Sequence, residues 1–453
     1  MRHISRAAAI GVLLVFCVAG LGFAGGQSEA ASEAEGAAAD QIELRFSWWG
    51  GESRHNAILE VIEMFEEQNP GVTIKAEFSG WQGYIDKLRT QMAANSQPDL
   101  FYSGSNRTWG VLPEGGRADL NEFSGVIETS QLNDSQIEAV EEFADGRLVG
   151  LPRREQVLGG YLVNATLFED LGIAIPEKTW SWEDLAELSQ QVYDASDGEV
   201  YGVLDETGVA GYDSIGSRAW LMSHYGIPYV YDDGLGPTRE QLVGYYEWWG
   251  SLRESGAASS AEVTVSADDN QNSPIVTGRV AMLPISIGSF ARFQSNTEDE
   301  LVFLPFPQGD YNNNEVGPGM LLSMSPHTEH PEMAAKFLNY MINDIEAGMV
   351  LKTELGIPSN AERRRALQEA GMDRNAEAVF SLHNWVVENL GTVKAVPTHP
   401  DYNELWTFRT TEEQRLAYDR ADIDAVVDSI IGKAEQLDMA VPEDERSPLV
   451  AQQ

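Results

Sequence analysis

From Ile42 to Ser103 the spacing of apolar residues switches repeatedly between a period of two and one of three to four, which constrains the fold more than any other feature. Ile42 to Ser47 alternates as a strand, and a helix beginning near Ser53 carries Ile58, Val61, Ile62 and Phe65 on one face. Asn69-Pro70-Gly71 stops that helix, and Val72 to Phe78 alternates again. A second helix places Trp81, Tyr84, Leu88 and Met92 together, and Pro98-Asp99 leads into a short strand, Leu100 to Ser103. Strand, helix, strand, helix, strand predicts an α/β fold on a mostly parallel sheet with covered faces. Ligands of such sheets sit at the carboxyl ends of the strands. Here those ends are Trp48-Trp49-Gly50-Gly51 and the loop from Ser103 to Arg107.

Large rings in a strand-to-helix turn are not expected all to be buried by local packing, and paired glycines let a backbone approach a ligand closely. Flat apolar rings with few charges nearby suit the C–H face of a sugar. Trp48, Trp49 and Gly50 are therefore candidate ligand-binding residues.

The middle of the chain repeats the style. Leu148 to Pro152 and Tyr161 to Asn164 read as strands, and Ser181 with Asp184 forms a capping box for a helix bearing Leu185, Leu188 and Val192. Leu242, Tyr245, Tyr246, Trp249 and Leu252 fall at helix spacing, an aromatic stripe expected to be core. Val280 to Ile285 is an apolar strand followed by the polar loop Ser286-Ile287-Gly288-Ser289, again a place for ligand contact. Pro331 to Ile342 is a helix.

Arg2, His3 and Arg6, the apolar run Ala7 to Leu21, and Gly22-Phe23-Ala24 make an export signal, residues 1–24. Cys17 lies inside that run behind the bulky Phe16, which argues against lipid attachment. It is the chain's one cysteine, so the exported part is left without thiol chemistry or disulfides. Residues 25–40 are small and acidic and read as a flexible leader. The remaining stretch, roughly 410 residues, fits two lobes. A formal net charge of −41 repels nucleic acid and anionic lipid headgroups, so neither is expected as a partner.

Several stretches, in order, resemble one family. HNAILEVIEMFEEQNPGVTIKAEF and GWQGYIDKLRTQMAANSQPDLF look like the amino-terminal lobe of the extracellular sugar-binding proteins of bacterial ABC importers, solute-binding protein family 1. GLPRREQVLGGYLVNATLFEDLGI, TWSWEDLAEL, TGRVAMLPISIGSF, and PHTEHPEMAAKFLNYM followed by ELGIPSN continue the likeness over nearly the whole chain after the leader. The resemblance implies a two-lobed periplasmic-binding-protein fold of type II kind, each lobe a mostly parallel sheet flanked by helices, joined by crossing hinge strands. It implies a monomer in the periplasm that closes on a carbohydrate, delivers it to ABC permease subunits, and needs no cofactor. Lobe I is expected at 41–150 and 306–358, and lobe II at 151–305 and 359–453. Crossings are expected near Leu148 to Pro152, Leu304 to Gly309 and Gly356 to Asn360, with helices after Ala361 returning to lobe II.

By the same resemblance, Trp48, Trp49, Trp81, Tyr84, Tyr161 and the Ser286 to Ser289 loop, with Ser286 and Gly288, are cleft-lining positions. Asn164 either contacts ligand or orders the turn before Leu167. Trp220 and Trp385 are either cleft aromatics or core. Arg153 and Arg154 stand where the family often has small or neutral residues, and Arg107 lies in the first-lobe loop. An arginine aimed into the cleft would read a sugar carboxylate through a bidentate fork, pointing to a uronate-containing ligand. Their other reading is hinge salt bridges. The competing class is a secreted polysaccharide hydrolase or lyase built on paired carboxylates. In so acidic a chain pairs such as Glu141-Glu142 carry little information, and no GxSxG, HExxH or Walker pattern is present. His327 and His330, three apart before a helix, lack an obvious third metal ligand.

Overall fold

The computed structural model describes residues 41–453 except 81–82, 105–111, 156–158, 210–214, 268–271, 317–319, 395, 397, 450 and 453. The expected export signal and acidic leader lie outside the described residues. β1 (Ile42–Trp49) pairs parallel with β2 (Val72–Ser79) from Ile42 opposite Val72 to Trp49 opposite Ser79, and parallel with β3 (Leu100–Gly104). The helices Glu52–Gln68 and Tyr84–Ala93 bury the residues their spacing selects, Ile58, Val61, Ile62 and Phe65 on one, Tyr84, Leu88 and Met92 on the other. Asn69 closes the first helix by donating its side-chain amide to the Phe65 carbonyl at 2.7 Å.

The chain then alternates between two sheets. β4 (Leu151–Pro152) belongs to the first, while β5 (Gly160–Asn164), β6 (Tyr201–Val203), β7 (Val280–Ile285) and β8 (Leu301–Pro305) form the second. β9 (Glu315–Val316) joins a small third sheet, and β10 (Leu321–Met324) returns to the first. The orders are β2-β1-β3-β10-β4 and β6-β7-β5-β8, with β11 (Thr392–Lys394) and β12 (Ala451–Gln452) completing the third sheet.

One strand in each large sheet runs against its neighbours. β10 is antiparallel to β3 and β4, and β5 is antiparallel to β7 and β8, whereas β6 and β7 are parallel. Connectivity causes this. A chain that leaves one sheet at its crossing end, as β4 and β8 do, must enter the other sheet at that sheet's crossing end. The strand it then forms runs away from the crossing while the others run toward it.

The second sheet lies between two apolar layers, as the period of two requires. Tyr161 and Val163 join Trp180, Trp182, Tyr245 and Trp249 on one side, and Leu162 joins Leu283, Ile285 and Phe303 on the other. The stripe Leu242, Tyr245, Tyr246, Trp249 and Leu252 is fully incorporated as core on the helix Arg239–Ser255. Ser181 and Asp184 form the reciprocal capping box, with the Ser181 N–H donating to the Asp184 carboxylate at 2.7 Å.

The crossings are tied together by backbone. The Glu155 N–H donates to the Ile357 carbonyl at 2.8 Å, and Arg154 bridges antiparallel to Pro358. The helix Ala361–Ala370, expected to belong wholly with the second sheet, spans both halves. Leu367 packs in the second sheet's apolar layer, but Arg363 reaches back to the carboxyl end of the helix Pro331–Asn343. Its guanidinium donates to the carbonyls of Met341 (2.7 Å), Asp344 (2.7 Å) and Tyr340 (3.1 Å). The Tyr340 and Asp344 carbonyls also accept the backbone N–H groups of Asp344 (3.1 Å) and Gly348 (3.0 Å), so the guanidinium shares these acceptors at the helix end and meets the negative end of the helix dipole. Replacing Arg363 by methionine keeps the length and removes all three donors. It is expected to cost about 2–4 kcal/mol of unfolding free energy, with lysine recovering only part because an ammonium cannot fork. Denaturant unfolding of the three proteins checks this, and equal midpoints would remove Arg363 as the tie.

Candidate functional site

The carboxyl ends of β1, β2 and β3 lie on the crossing side of the first sheet, next to the exit of β4. Both tryptophans belong to β1 rather than to a turn beyond it, which corrects the expectation that their rings could not all be buried. Successive strand residues point to opposite faces, so each ring finds its own packing partner. Trp48 is wholly buried against Phe46 and Phe78, ring centroids 4.9 and 5.1 Å away, and donates its indole N–H to His55 Nδ1 at 3.1 Å. Trp49 is buried on the other face beside Tyr84 (4.9 Å) and Tyr102 (5.6 Å). Gly50 makes room for a neighbour, since a Cβ there would come within 2.6 Å of Arg54 Cδ. The buried Tyr84 hydroxyl lies 3.0 Å from the carbonyls of Ser47 and of Tyr102, clamping β1 to β3. Trp81 and Arg107 lie outside the described residues.

The two adjacent arginines diverge. Arg153 turns into the first half, buried, its guanidinium 4.5 Å over the Tyr102 ring and donating to the Leu355 carbonyl at 2.9 Å. No carboxylate among the described residues pairs with it, so the hinge salt bridge at this position belongs instead to Glu155 and Arg364, 2.9 Å apart. Burial draws the Arg153 pKa well down, and neighbouring Arg54 and Arg154 act in the same direction. Arg154 turns toward the second half and packs on Gly356 and Gly288. Arg154, Ser286 and Gly288 thus come together, as lining of a cavity of ≈ 10 Å³ completed by Glu155, Gly356 and Ile357. That holds at most about one water and no sugar ring.

On the second sheet, Tyr161 is wholly buried with its ring edge-on to Trp180 at 5.5 Å. Trp220 is buried and stacked on His224 at 4.0 Å, which places it in the core rather than on an open face. Trp385 is half-buried on the helix Arg374–Asn389, with Lys178 Nζ 5.6 Å over its ring. Asn164 orders the turn, its carboxamide oxygen accepting from the Leu167 N–H at 2.9 Å and its NH₂ donating to Asp299. Beyond the crossing-side end of β6 stands a buried polar nest. Asp205 pairs with Arg253 at 2.7 Å, Arg409 with Glu413 at 2.6 Å, and Tyr246 donates to Glu413 at 2.9 Å. Glu206 is buried as well, and among the described residues neither of its carboxylate oxygens has a partner at hydrogen-bonding geometry. Gly216, in the first turn of the helix Ile215–Tyr225, leaves it room, since a Cβ would fall 1.5 Å from Glu206 Oε1.

The family of bacterial extracellular solute-binding proteins matches residues 51–347. The chain belongs to that family. A periplasmic solute-binding protein from Pectobacterium atrosepticum SCRI1043 superposes with a TM-score of 0.76 at 23% identity, over 88% of this chain and 98% of that one. A periplasmic oligogalacturonide-binding protein from Yersinia enterocolitica, solved with saturated digalacturonic acid, gives 0.74 at 20% identity, over 88% and 98%. At these identities the likeness is one of fold, the two-lobed α/β fold of periplasmic binding proteins. A maltodextrin-binding protein of Bacillus subtilis (strain 168) is 24% identical over 374 residues, 79% of this chain and 81% of its own length.

For a solute-binding protein the informative residues that sequence reasoning missed are Arg54, His55, Phe78 and Glu206. Arg54 left one signal, its place in the turn after Gly50-Gly51, but its bonds to the carbonyls of Trp49 (3.2 Å) and Glu354 (3.0 Å) join segments 300 residues apart. Glu206 left none, being one acid among 71.

Burial pushes the Glu206 carboxyl well above its ordinary value of 4.5, and Asp205 and Glu413 add to this, while Arg409 opposes it in part. A folded pKa raised above the unfolded one means the folded chain holds a proton that the unfolded chain releases. The stability this group contributes is therefore full below its ordinary value and is lost as pH rises toward the folded one. Glu206→Gln keeps the shape and stays neutral. Its melting temperature relative to the native protein is expected to climb as pH rises above about 5; a constant difference would show the carboxyl to be ionised throughout.

Proposed function

We propose that this chain is the exported capture component of a saccharide importer, binding an oligosaccharide between its two lobes and presenting the closed form to an ABC permease. The observation that carries the reading is the paired architecture. Two sheets turn their strand ends toward shared crossings in a chain of the extracellular solute-binding family. The maltodextrin and oligogalacturonide specificities of the relatives support a saccharide as the solute. Binding then works by differential affinity: the ligand gains contacts from both lobes only when they close, which shifts the population to the closed state. No bond chemistry is required, and the protein acts as a monomer in the periplasm, delivered there by the signal read at residues 1–24. None of the described helices is long and apolar enough to cross a membrane. Its net charge of −41 keeps nucleic acid from being a partner.

The ligand carries uronic acid units. Arg153, buried beside Arg54 and without a carboxylate partner among the described residues, leaves positive charge near the ends of β1 and β3. In a low-dielectric setting such charge favours an anionic ligand. Calorimetric titration of the exported chain with oligogalacturonides and with maltooligosaccharides, followed by mass spectrometry of the recovered sugar, tests both levels. Preferential binding of an intact galacturonide is expected. Preference for the neutral sugar would remove the uronate and keep the importer, cleavage would restore the hydrolase, and silence to both series would remove the saccharide.

A further inference from the structure

We propose that Phe78, held against His55 at the outer rim of the first sheet, forms a separate subsite that stacks one pyranose ring of an oligosaccharide, distant from the crossings. The inference rests on the saccharide reading and adds to it a place and a length requirement. At 46% exposure Phe78 is the most open of the large apolar side chains among the described residues. An isolated exposed apolar residue needs no explanation. This one is different because it is the last member of an ordered stack.

Its ring lies 4.3 Å from the His55 imidazole at 28° and 5.1 Å from the Trp48 indole at 33°. The Trp48 N–H, donated to His55 Nδ1 at 3.1 Å, fixes the imidazole in the tautomer protonated at Nε2. Burial lowers the His55 pKa, with Arg54 acting the same way, so the ring beside Phe78 is neutral near pH 7. An aromatic face held in place by two others loses little conformational freedom on binding, and a neutral stack suits the C–H face of a sugar.

Position makes the same case. Phe78 stands next to the last residue of β2, on the crossing-side edge where the parallel strands end. Among the described residues, a Cβ added at Gly51 or Gly80 would meet nothing within 4 Å. β2 is the outermost strand, four strand spacings from β4 where the chain crosses, or roughly 19 Å. A single sugar ring cannot span that distance. A ligand bound near the crossings reaches Phe78 only if it is several rings long.

The test compares the native protein with Phe78→Ala and Phe78→Trp, using digalacturonic and tetragalacturonic acid, maltose and maltotetraose as probes in calorimetric titration. The alanine variant is expected to weaken whichever tetrasaccharide the native protein binds by roughly five- to tenfold, to leave the matching disaccharide within about twofold, and to melt only modestly lower, from the lost packing on Trp48 and His55. Tryptophan, with a larger face, is expected to restore tetrasaccharide binding. Unchanged tetrasaccharide affinity in the alanine variant overturns the subsite while leaving the importer intact. Equal weakening of both lengths also overturns it, since that is the signature of a side chain needed for lobe closure. A native protein that binds none of the four sugars overturns the saccharide reading and the subsite with it.

Discussion

The short antiparallel pairing of the first and third crossings, Glu155 N–H to the Ile357 carbonyl and Arg154 against Pro358, is the contact from which the rest of the architecture hangs. It fixes where the chain leaves each sheet, and with that the direction of β5 and β10. Those inserted strands then determine which edge of each sheet carries the carboxyl ends of the others. The buried hydroxyl of Ser323 continues the tie into the first sheet, donating to the Val149 carbonyl at 2.7 Å and accepting from the Ser103 hydroxyl at 2.7 Å. Backbone and hydroxyl bonds suit a hinge, because they hold register without the bulk that would block rotation of one lobe on the other.

Around that hinge the cations are arranged by depth. Arg364 and Glu155 form a pair, Arg363 is consumed by helix carbonyls, and Arg153 lies on Tyr102 with no carboxylate partner among the described residues. A guanidinium tolerates this better than an ammonium, since it is weakly hydrated and stacks on aromatic faces. The arrangement also explains why two arginines adjacent in sequence have separate tasks. Extended backbone sends consecutive side chains to opposite sides, one to each lobe.

The first five elements, the capping box at Ser181 and the aromatic core stripe were legible in the sequence because local periodicity determines them. The long helix Glu52–Gln68 begins one residue before the expected Ser53, at the capping Gly51. The site was less legible. Whether Trp48 and Trp49 face ligand or core depends on how far β1 runs, and that is decided by its pairing with β2, thirty residues on. Phe78 read as one more alternating strand residue; its exposure follows from β2 being an edge strand, which no local pattern states. Arg153 and Arg154 were singled out by type, but their burial and partners come from Leu355, Gly356 and Gly288, far away in the chain.

A surface so acidic does not by itself oppose an anionic ligand at the crossings. Exposed charges act through water and salt and are largely screened beyond about 8 Å at physiological ionic strength, whereas Arg153 and Arg54 act from buried positions where screening is weak. The two populations govern different quantities. For the anionic ligand proposed above, the outer carboxylates would set the rate of arrival and the inner guanidiniums the strength of retention. For an acidic sugar, added salt would therefore speed association by screening the surface while weakening retention less. A neutral sugar would be indifferent to both. The sign of the salt effect on the association rate thus reports ligand charge through the surface, and the equilibrium affinity reports it through the arginines, so the two measurements constrain the ligand independently.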